Sequence, residues 1–358
     1  MNSLLLRVSL ASLAAIVFAS SRPAGAASAA LPSYLVLPPE NVSENRALYW
    51  LGEALGESME RALTAAGADI ATRDERRGIE REEMGLGPLN VATIATRLKE
   101  AEALNVDRIV FGSFTARQGT AWLDITVTLQ VLDVAQLRRG PKKTVGPLPL
   151  EKLPSLQNAV AAALIEIESI PPPATGLPRA PTEETNRMAY ESRMKSLLEE
   201  TPDKQASYLL RSLESDPDYL RSRVELASLQ HDADHPELAL ATLLARPLSG
   251  DPDTASSGER LTGELLLEAS RPTGAVNAFR RALRWKEDST IHLSLARALI
   301  FRGDLEIASA EVELARRLDP EDPELKELMS LLASPPPPME DEAPPASNPP
   351  GTLPSVPR

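Results

Sequence analysis

The fold is decided by residues 289–320, which read STIHLSLARALIFRGDLEIASAEVELARRLDP. This stretch predicts two amphipathic helices separated by a turn. The apolar side of the first helix repeats with a period of 3.6 residues and holds Leu293, Leu295, Ala296 and Leu299. Gly303 and Asp304 interrupt the period, because glycine tolerates a turn backbone and aspartate is a good helix cap. The segment therefore predicts a tight helical hairpin.

The second helix of this hairpin has a small-residue face and a defined end. That face holds Ala308, Val312 and Ala315, and Pro320 stops the helix because proline cannot continue a helix interior. The hairpin resembles a tetratricopeptide repeat, whose pattern is W-x2-L-G-x2-Y, then A-x3-F, then a small residue and a proline over about 34 residues. The corresponding positions here are His292, Leu295, Ala296, Leu299, Ala308, Val312, Ala315 and Pro320. The resemblance implies a stack of helical hairpins that binds a protein or peptide.

Similar units precede this hairpin. The corresponding positions upstream are Gly263, Leu266, Ala275, Phe279 and Ala282, then Leu226, Ala227, Ala239 and Leu243, and then Leu209, Leu213 and Pro217. Turn pairs recur at 217–218, 252–253, 287–288 and 321–322, at steps of 35, 35 and 34 residues. A fixed period of this length is typical of repeat proteins. We therefore expect four repeats from about residue 183, followed by a closing helix with a polar outer face.

The amino-acid composition limits the classes of function that this protein can have. Aromatic residues make up 4% of the 358 residues, so the core must consist mainly of aliphatic side chains. The net charge of −13 argues against nucleic acid as the main partner, because phosphate binding needs a basic surface. No cysteine is present, which excludes disulfides and thiolate metal sites.

The first 26 residues have the pattern of a Sec-type signal peptide. A basic Arg7 precedes an apolar segment at 8–18, and Ala24-Gly25-Ala26 is an A-x-A cleavage site. The apolar segment is shorter than the roughly 20 residues that a membrane span needs. We expect a bacterial periplasmic or secreted protein without a stable transmembrane span after cleavage; an uncleaved anchor is the alternative.

Residues 31–170 predict an α+β domain. A first strand at 33–37 precedes a helix at 45–66, whose apolar face holds Leu48, Leu51, Leu55, Met59 and Leu63. A short strand at 69–71, helices at 74–84 and 91–103, a hairpin at 107–133, an edge strand at 144–148 and a helix at 156–169 complete the pattern.

Three segments of this region carry a second resemblance. They are L-P-P-E-N at 37–41, W-L-G at 50–52, and N-V-D-R-I-V-F-G-S-F at 105–114, the last followed by a strand ending in V-L-D at 131–133. The region resembles the amino-terminal domain of TolB and of TolB-like tetratricopeptide proteins. That resemblance implies helices packed on a mixed sheet and a role in protein association.

The predicted organisation has five parts: a signal peptide at 1–26, the TolB N-terminal-like domain at 31–170, a proline-rich linker at 171–182, an all-α repeat solenoid with its closing helix at 183–333, and a disordered proline-rich tail at 334–358. Proline-rich linkers stay extended and solvated. We therefore expect few contacts across this linker and two halves that fold independently.

The sequence contains few patterns that are typical of catalytic or metal sites. His231 and His235 flank two aspartates, a pattern that indicates either a polar turn or a zinc site, and Pro236 favours the turn. His292 is expected to be a packing residue. No G-x-S-x-G, Walker or G-x-G-x-x-G motif is present, so we predict no catalytic residue, no metal and no cofactor.

Two charged segments are interpreted mainly as solvated surface. Residues 73–83 are a run of arginine and glutamate, interpreted as a solvated helix face with pairs along the helix. Arg138, Arg139, Lys142 and Lys143 surround a turn, either as a solvated hairpin end or as a peripheral contact with anionic lipid in the envelope.

The predicted function is a non-enzymatic, exported scaffold of the bacterial cell envelope. The first helix of each repeat lines a concave surface in such stacks, and partners dock there. The expected partner-binding residues are Arg221, Arg260, Glu264, Arg297 and Phe301, with Val224, Ser228, Leu267 and Ile300 also exposed on these helices. The alternative is a periplasmic sensor whose amino-terminal domain binds a small molecule.

Overall fold

A computed structural model describes residues 31–43, 45–82, 85, 93–119, 122–173, 175–183, 185–339 and 341. The described residues from Pro32 onward form one compact unit. The predicted signal peptide, and the predicted tail beyond Asp341, lie outside the described residues.

The amino-terminal region contains a mixed sheet. Its strands are β1 (Tyr34–Val36), β2 (Glu40–Asn41), β3 (Ile70–Ala71), β4 (Arg108–Gln118), β5 (Leu123–Asp133), β6 (Arg138–Arg139) and β7 (Lys143–Pro149). Strand β1 is parallel to β3 and β4, whereas β5 is antiparallel to β4, β6 and β7. The pairing of Gly112 with Leu129 lies midway along the long β4–β5 ladder. The predicted hairpin and edge strand are thus present.

Four helices accompany the sheet: α1 (Trp50–Ala65), α2 (Arg73–Glu82), α3 (Ile94–Ala103) and α4 (Leu153–Ile167). Helix α1 buries the predicted apolar face of Leu48, Leu51, Leu55, Met59 and Leu63, with Leu48 in the 3₁₀ turn just before it. Gly67 follows α1 with a φ of +83°, the left-handed conformation that ends many helices. Helices α1 and α4 pack against each other, so this region presents a helical surface.

The carboxyl-terminal region is a stack of helical hairpins. Its helices are α5 (Arg187–Ser196), α6 (Pro202–Ser215), α7 (Leu220–Asp232), α8 (Pro236–Leu244), α9 (Pro252–Glu268), α10 (Pro272–Trp285), α11 (Ser289–Arg302), α12 (Leu305–Leu318) and α13 (Glu324–Ala333). They pair as the four predicted hairpins, and α13 closes the stack against α11 and α12.

Small residues lie where the paired helices cross. A side chain at Gly263 would place its Cβ 2.6 Å from the ring of Phe279, so α9 and α10 approach closely only because this residue is glycine. Ala308 and Ala315 of α12 are fully buried against α11. Asp304 differs from the prediction, because its carboxylate accepts a hydrogen bond from Arg302 at 2.5 Å and does not cap α12.

The expectation of few contacts across the linker is wrong, whereas independent folding of the two halves stays a prediction. Helix α1 packs against α5, and Thr182 Oγ1 at the end of the linker donates to Gln157 Oε1 of α4 at 2.5 Å. Ala180 is buried as well. The linker ends in a 3₁₀ turn at Pro181–Glu183, and its apolar and hydroxyl groups return to the amino-terminal helices. The exact domain boundaries stay a prediction.

Candidate functional site

A cleft of about 1080 Å³ lies where α1 and α2 meet the first repeat helices. We call it the junction cleft. One wall comes from α1 and α2 and the other from α5, the start of α6, and α7. Arg73, Arg77 and Arg81 recur every fourth residue along the α2 wall, so their side chains lie on one helix face. Glu200, Ser228 and Asp232 are among the residues of the opposite wall.

Glu57 of α1 is the centre of an ionic chain at one end of the junction cleft. Its Oε2 accepts from Arg193 of α5 at 3.1 Å, and its Oε1 accepts from Arg221 of α7 at 2.6 Å. Arg193 also donates to Glu225 at 2.6 Å, and Arg221 to Asp251 at 3.2 Å. Acidic and basic groups therefore alternate from α7 through α5 and α1 to the N-terminus of α9. We call these five residues the junction ion chain.

The junction ion chain stabilises the charged form of Glu57. Burial by itself would raise the pKa of this carboxyl, but the guanidinium groups of Arg193 and Arg221 outweigh burial and lower the pKa. Tyr190 of α5 adds a hydrogen bond from its hydroxyl to Glu57 Oε2 at 2.9 Å. Burial, followed by the charge of Glu57, raises the pKa of Tyr190 well above its usual range, so the phenol remains a donor.

Glu60, one helical turn further along α1, behaves differently. Burial raises the pKa of its carboxyl to about 7, and the neighbouring carboxylates of Glu53 and Glu57 add to this effect, whereas Arg76 and Arg73 oppose it. Glu57 and Glu60, which both line the junction cleft, therefore have pKa shifts of opposite direction.

The charged run at residues 73–83 is not the solvated face that was predicted. Arg76 is 4% exposed and Glu80 is 2% exposed, and their side chains pair at 3.4 Å. Arg97 of α3 also donates to Glu80 at 2.6 Å. Arg73 donates from Nη2 to the carbonyl of Leu197 at 2.7 Å, which joins α2 directly to the end of α5. The Arg73 contact thus links α2 to the first repeat, whereas Glu80 joins α2 to α3.

The five predicted binding residues differ in the contacts that they make within the protein. Arg221 lines the junction cleft and belongs to the junction ion chain. Arg260 and Glu264 pair with each other along α9. Arg297 of α11 contacts Glu324 and Glu327 of α13, both at 3.4 Å.

Phe301, Ile300 and Ser228 of the predicted concave face differ in their exposure. Phe301 is half-buried, and its carbonyl accepts from the amide of Met339 at 2.7 Å. Ile300 was expected to be exposed but is buried, because it packs into the core of the last repeats. Ser228 is exposed and lines the junction cleft.

The histidines take part in hydrogen bonds. His231 Nε2 lies 2.9 Å from Glu268 Oε1 on α9, and His235 occupies the turn before α8, whose first residue is Pro236. Within the described ranges, no group of three or more histidine and acidic residues could hold a metal ion. His292, expected as a packing residue, is 6% exposed, with Nδ1 2.7 Å from Glu311 Oε2 of α12.

The sequence contains only weak indications of the junction cleft. Glu53, Glu57 and Glu60 are spaced by four and three residues, so they form an acidic stripe beside the apolar face of α1. The basic stripe on α2 was also visible, but its position opposite α7 depends on contacts between residues more than a hundred positions apart.

The described helices include none that is both long and apolar enough to cross a membrane. Comparison with known families shows a match to the tetratricopeptide repeat over residues 266–332. A search of curated protein sequences finds no match. The family match and the four stacked hairpins support a tetratricopeptide-repeat protein.

A search of solved structures finds matches to parts of the chain. A structure of MamA AMB-1 is 20% identical, with a TM-score of 0.32 over 39% of this chain and 78% of that chain. PilF of Pseudomonas aeruginosa is 15% identical, with a TM-score of 0.38 over 51% of this chain and 77% of its own. The C-terminal domain of LpoB from Salmonella enterica is 16% identical, with a TM-score of 0.26 over 32% of this chain and 83% of that domain.

Proposed function

We propose that this protein is a non-enzymatic scaffold that binds a segment of a partner protein in the junction cleft. The observation that carries the proposal is the cleft itself, because it combines the inner side of the first repeat helices with a second wall from the α/β region. A groove closed on two sides buries more of a bound segment than an open concave face does. Tetratricopeptide-type stacking supports the class of partner, a protein or peptide.

The charges of the junction cleft define the chemistry of the bound segment. Arg73 and Arg77 of the α2 wall already pair with Glu53 and Glu80. Arg81 is exposed on the same helix face and attracts carboxylates, which a guanidinium group can bind bidentately. Glu200 and Asp232 of the opposite wall attract basic side chains. We therefore propose an extended partner segment that carries charges of both signs.

The site of action is proposed from the sequence. The signal-peptide pattern at residues 1–26 supports export to the bacterial periplasm, and the partner would then be a protein of the cell envelope. The three motifs between residues 37 and 114 support a TolB N-terminal-like domain as the source of the first wall. Mass spectrometry of the protein from its native host should find an amino terminus near Ala27 or Ala30; a soluble protein that retains Met1 would contradict export.

A pair of serine substitutions tests the cleft. Ser228→Tyr places a ring inside the junction cleft, whereas Ser207→Tyr places the same ring on an exposed position of α6 that does not line the cleft. We expect both proteins to fold with the same circular dichroism spectrum. Cross-linked partner peptides, identified after cross-linking in native envelopes, should be lost with Ser228→Tyr and retained with Ser207→Tyr. Equal recovery with the two variants would place the partner elsewhere.

A further inference from the structure

The chain folds back on itself after its last helix. Helix α13 ends at Ala333, and Pro335–Pro338 are four consecutive prolines, a sequence that favours an extended polyproline conformation. Met339 and Asp341 then reach the turns that join α11 to α12 and α9 to α10. We call residues 334–339 and 341 the tail segment, and the surface formed by the end of α11, Gly303 and the start of α10 the turn edge. The first residues of the tail that was expected to be disordered therefore have defined partners.

Three contacts hold the tail segment on the turn edge. The amide of Met339 donates to the carbonyl of Phe301 at 2.7 Å. Asp341 Oδ1 accepts from the amide of Thr273 at 3.0 Å. Pro338 packs at Gly303, where an added Cβ would lie 3.1 Å from the Pro338 ring.

The two hydrogen bonds use backbone groups at helix ends, where a helix has no partner of its own to offer. Phe301 is the next-to-last residue of α11, and the last four carbonyls of a helix have no partner within the helix. Thr273 is the second residue of α10, whose N-cap position, Arg271, contributes no side-chain hydrogen bond. Helices α9 and α11, in contrast, are capped by the side chains of Asp251 and Asp288. A carboxylate also suits the positive end of the α10 dipole.

The turn edge thus binds an extended backbone with a simple pattern of side chains. A proline fits against Gly303, the next residue supplies a backbone N–H, and a carboxylate follows two positions later. Preformed polyproline segments bind with a small loss of conformational entropy. None of the three contacts requires that the peptide belong to the same chain.

We propose that the turn edge is a second peptide-binding surface, for a partner protein that presents an extended proline-containing segment ending in an acidic residue. In the free protein the tail segment occupies this surface in cis. A partner must displace the tail segment, whose tethering gives it an effective concentration on the order of millimolar. This surface is separate from the junction cleft and does not depend on the function proposed there.

The test uses the full chain and a labelled synthetic peptide, SPPPPMED, that copies the tail segment. Met339→Pro with Asp341→Ala removes the donor and the carboxylate of the cis tail but leaves Phe301, Gly303 and Thr273 unchanged. The matched control is Met339→Leu with Asp341→Glu, which retains both groups. Fluorescence anisotropy should show that the peptide binds the first variant about tenfold more tightly than it binds the wild type or the control.

Amide exchange locates the binding. The Thr273 amide should exchange faster in the Met339→Pro, Asp341→Ala variant than in the wild type, and saturating peptide should restore its protection. Equal peptide affinity for all three proteins, or binding without renewed protection of Thr273, would overturn the proposal. Dimers of the wild-type chain that dissociate in the first variant would show that the occupant is a second copy, and the separate-partner proposal would then be wrong.

Discussion

At the scale of single residues, the junction ion chain shows how a charged side chain, of a kind usually exposed to solvent, can be enclosed and paired within the protein. Glu57 lies on a helix that would be amphipathic in isolation, and its side chain is 10% exposed because α5 and α7 cover it. Arg193 is equally enclosed. A buried ion pair gives little net stability compared with an apolar pair, but the loss of one partner leaves a charge without compensation.

Glu57→Ala should therefore lower the free energy of unfolding by about 3 kcal/mol, because Arg221 loses its shortest ion pair and Arg193 retains only Glu225. The control is Asp218→Ala, which breaks the exposed pair with Arg246 and should change stability by less than about 0.5 kcal/mol. Urea denaturation at neutral pH measures both. Similar small losses for the two variants would show that the junction ion chain is solvated in solution.

The raised pKa of Glu60 predicts the direction in which stability changes with pH. Its pKa is raised from 4.5 to about 7, so between these pH values the folded protein binds a proton that the unfolded chain has released. Stability that this residue contributes is therefore complete below pH 4.5 and lost as the pH rises through 7. Glu60→Gln should melt at a higher temperature than the wild type at pH 8 and at nearly the same temperature at pH 4.5. A difference that is independent of pH would contradict the assigned pKa.

At the scale of helices, the crossings of the hairpins depend on the absence of side-chain volume. Gly263 faces the ring of Phe279 with no room for a methyl group, whereas Gly78 of α2 has open space around it. Both glycines lie within helices. Substitutions at the two positions therefore distinguish the effect of packing on stability from the effect of helix propensity.

Gly263→Ala should destabilise the protein by about 2 kcal/mol, since the phenyl ring of Phe279 must shift. Gly78→Ala should instead stabilise it by about 0.5–1 kcal/mol, because alanine is the better helix former. Thermal denaturation of the two variants should thus show changes of opposite sign. A loss of stability in both would indicate that α2 is more crowded than the open space at Gly78 suggests.

Ala308 provides a more severe test of the same packing. Ala308→Asp would bury a carboxylate between α11 and α12, next to a core of apolar residues, and should cost about 4 kcal/mol. Ser309→Asp, one residue further and exposed, is the control and should leave the melting temperature within a few degrees of the wild type. Circular dichroism at increasing temperature distinguishes them.

At the scale of the whole molecule, the α/β region and the repeats are one unit. Glu57, Arg73 and Gln157 of the first region each contact the second region directly or through Tyr190 or Thr182. Cooperative unfolding is the expected consequence, because opening this junction exposes paired charges and the buried Tyr190.

Two probes can follow the two regions separately. In a Trp122→Phe, Trp285→Phe variant the remaining Trp50 reports on α1, while far-ultraviolet circular dichroism reports mainly on the repeat helices. The two urea transitions should coincide in this background and should separate when Glu57→Ala is added. Separate transitions before that change would show that the halves unfold independently, as the sequence by itself predicted.

The sequence determined the repeats. Small and apolar residues at 3.6-residue spacing, glycine and proline at the turns, and a period of about 35 residues are all local properties, so residues 289–320 specify their own hairpin. The longer strands and the helices of the amino-terminal region were predicted for the same reason, whereas the two-residue strands β2 and β6 were not. Their hydrophobic periods depend on neighbours a few positions away.

The two proposed binding surfaces, in contrast, depend on the tertiary structure. The junction cleft needs α2 to lie across α7, and the turn edge needs the tail segment to return past α11 to α10. Charged residues satisfy the same sequence patterns whether they face water or a distant partner, so Arg76 and Glu57 could not be recognised as buried. Their positions result from contacts between distant parts of the chain, and a one-dimensional pattern does not contain that information.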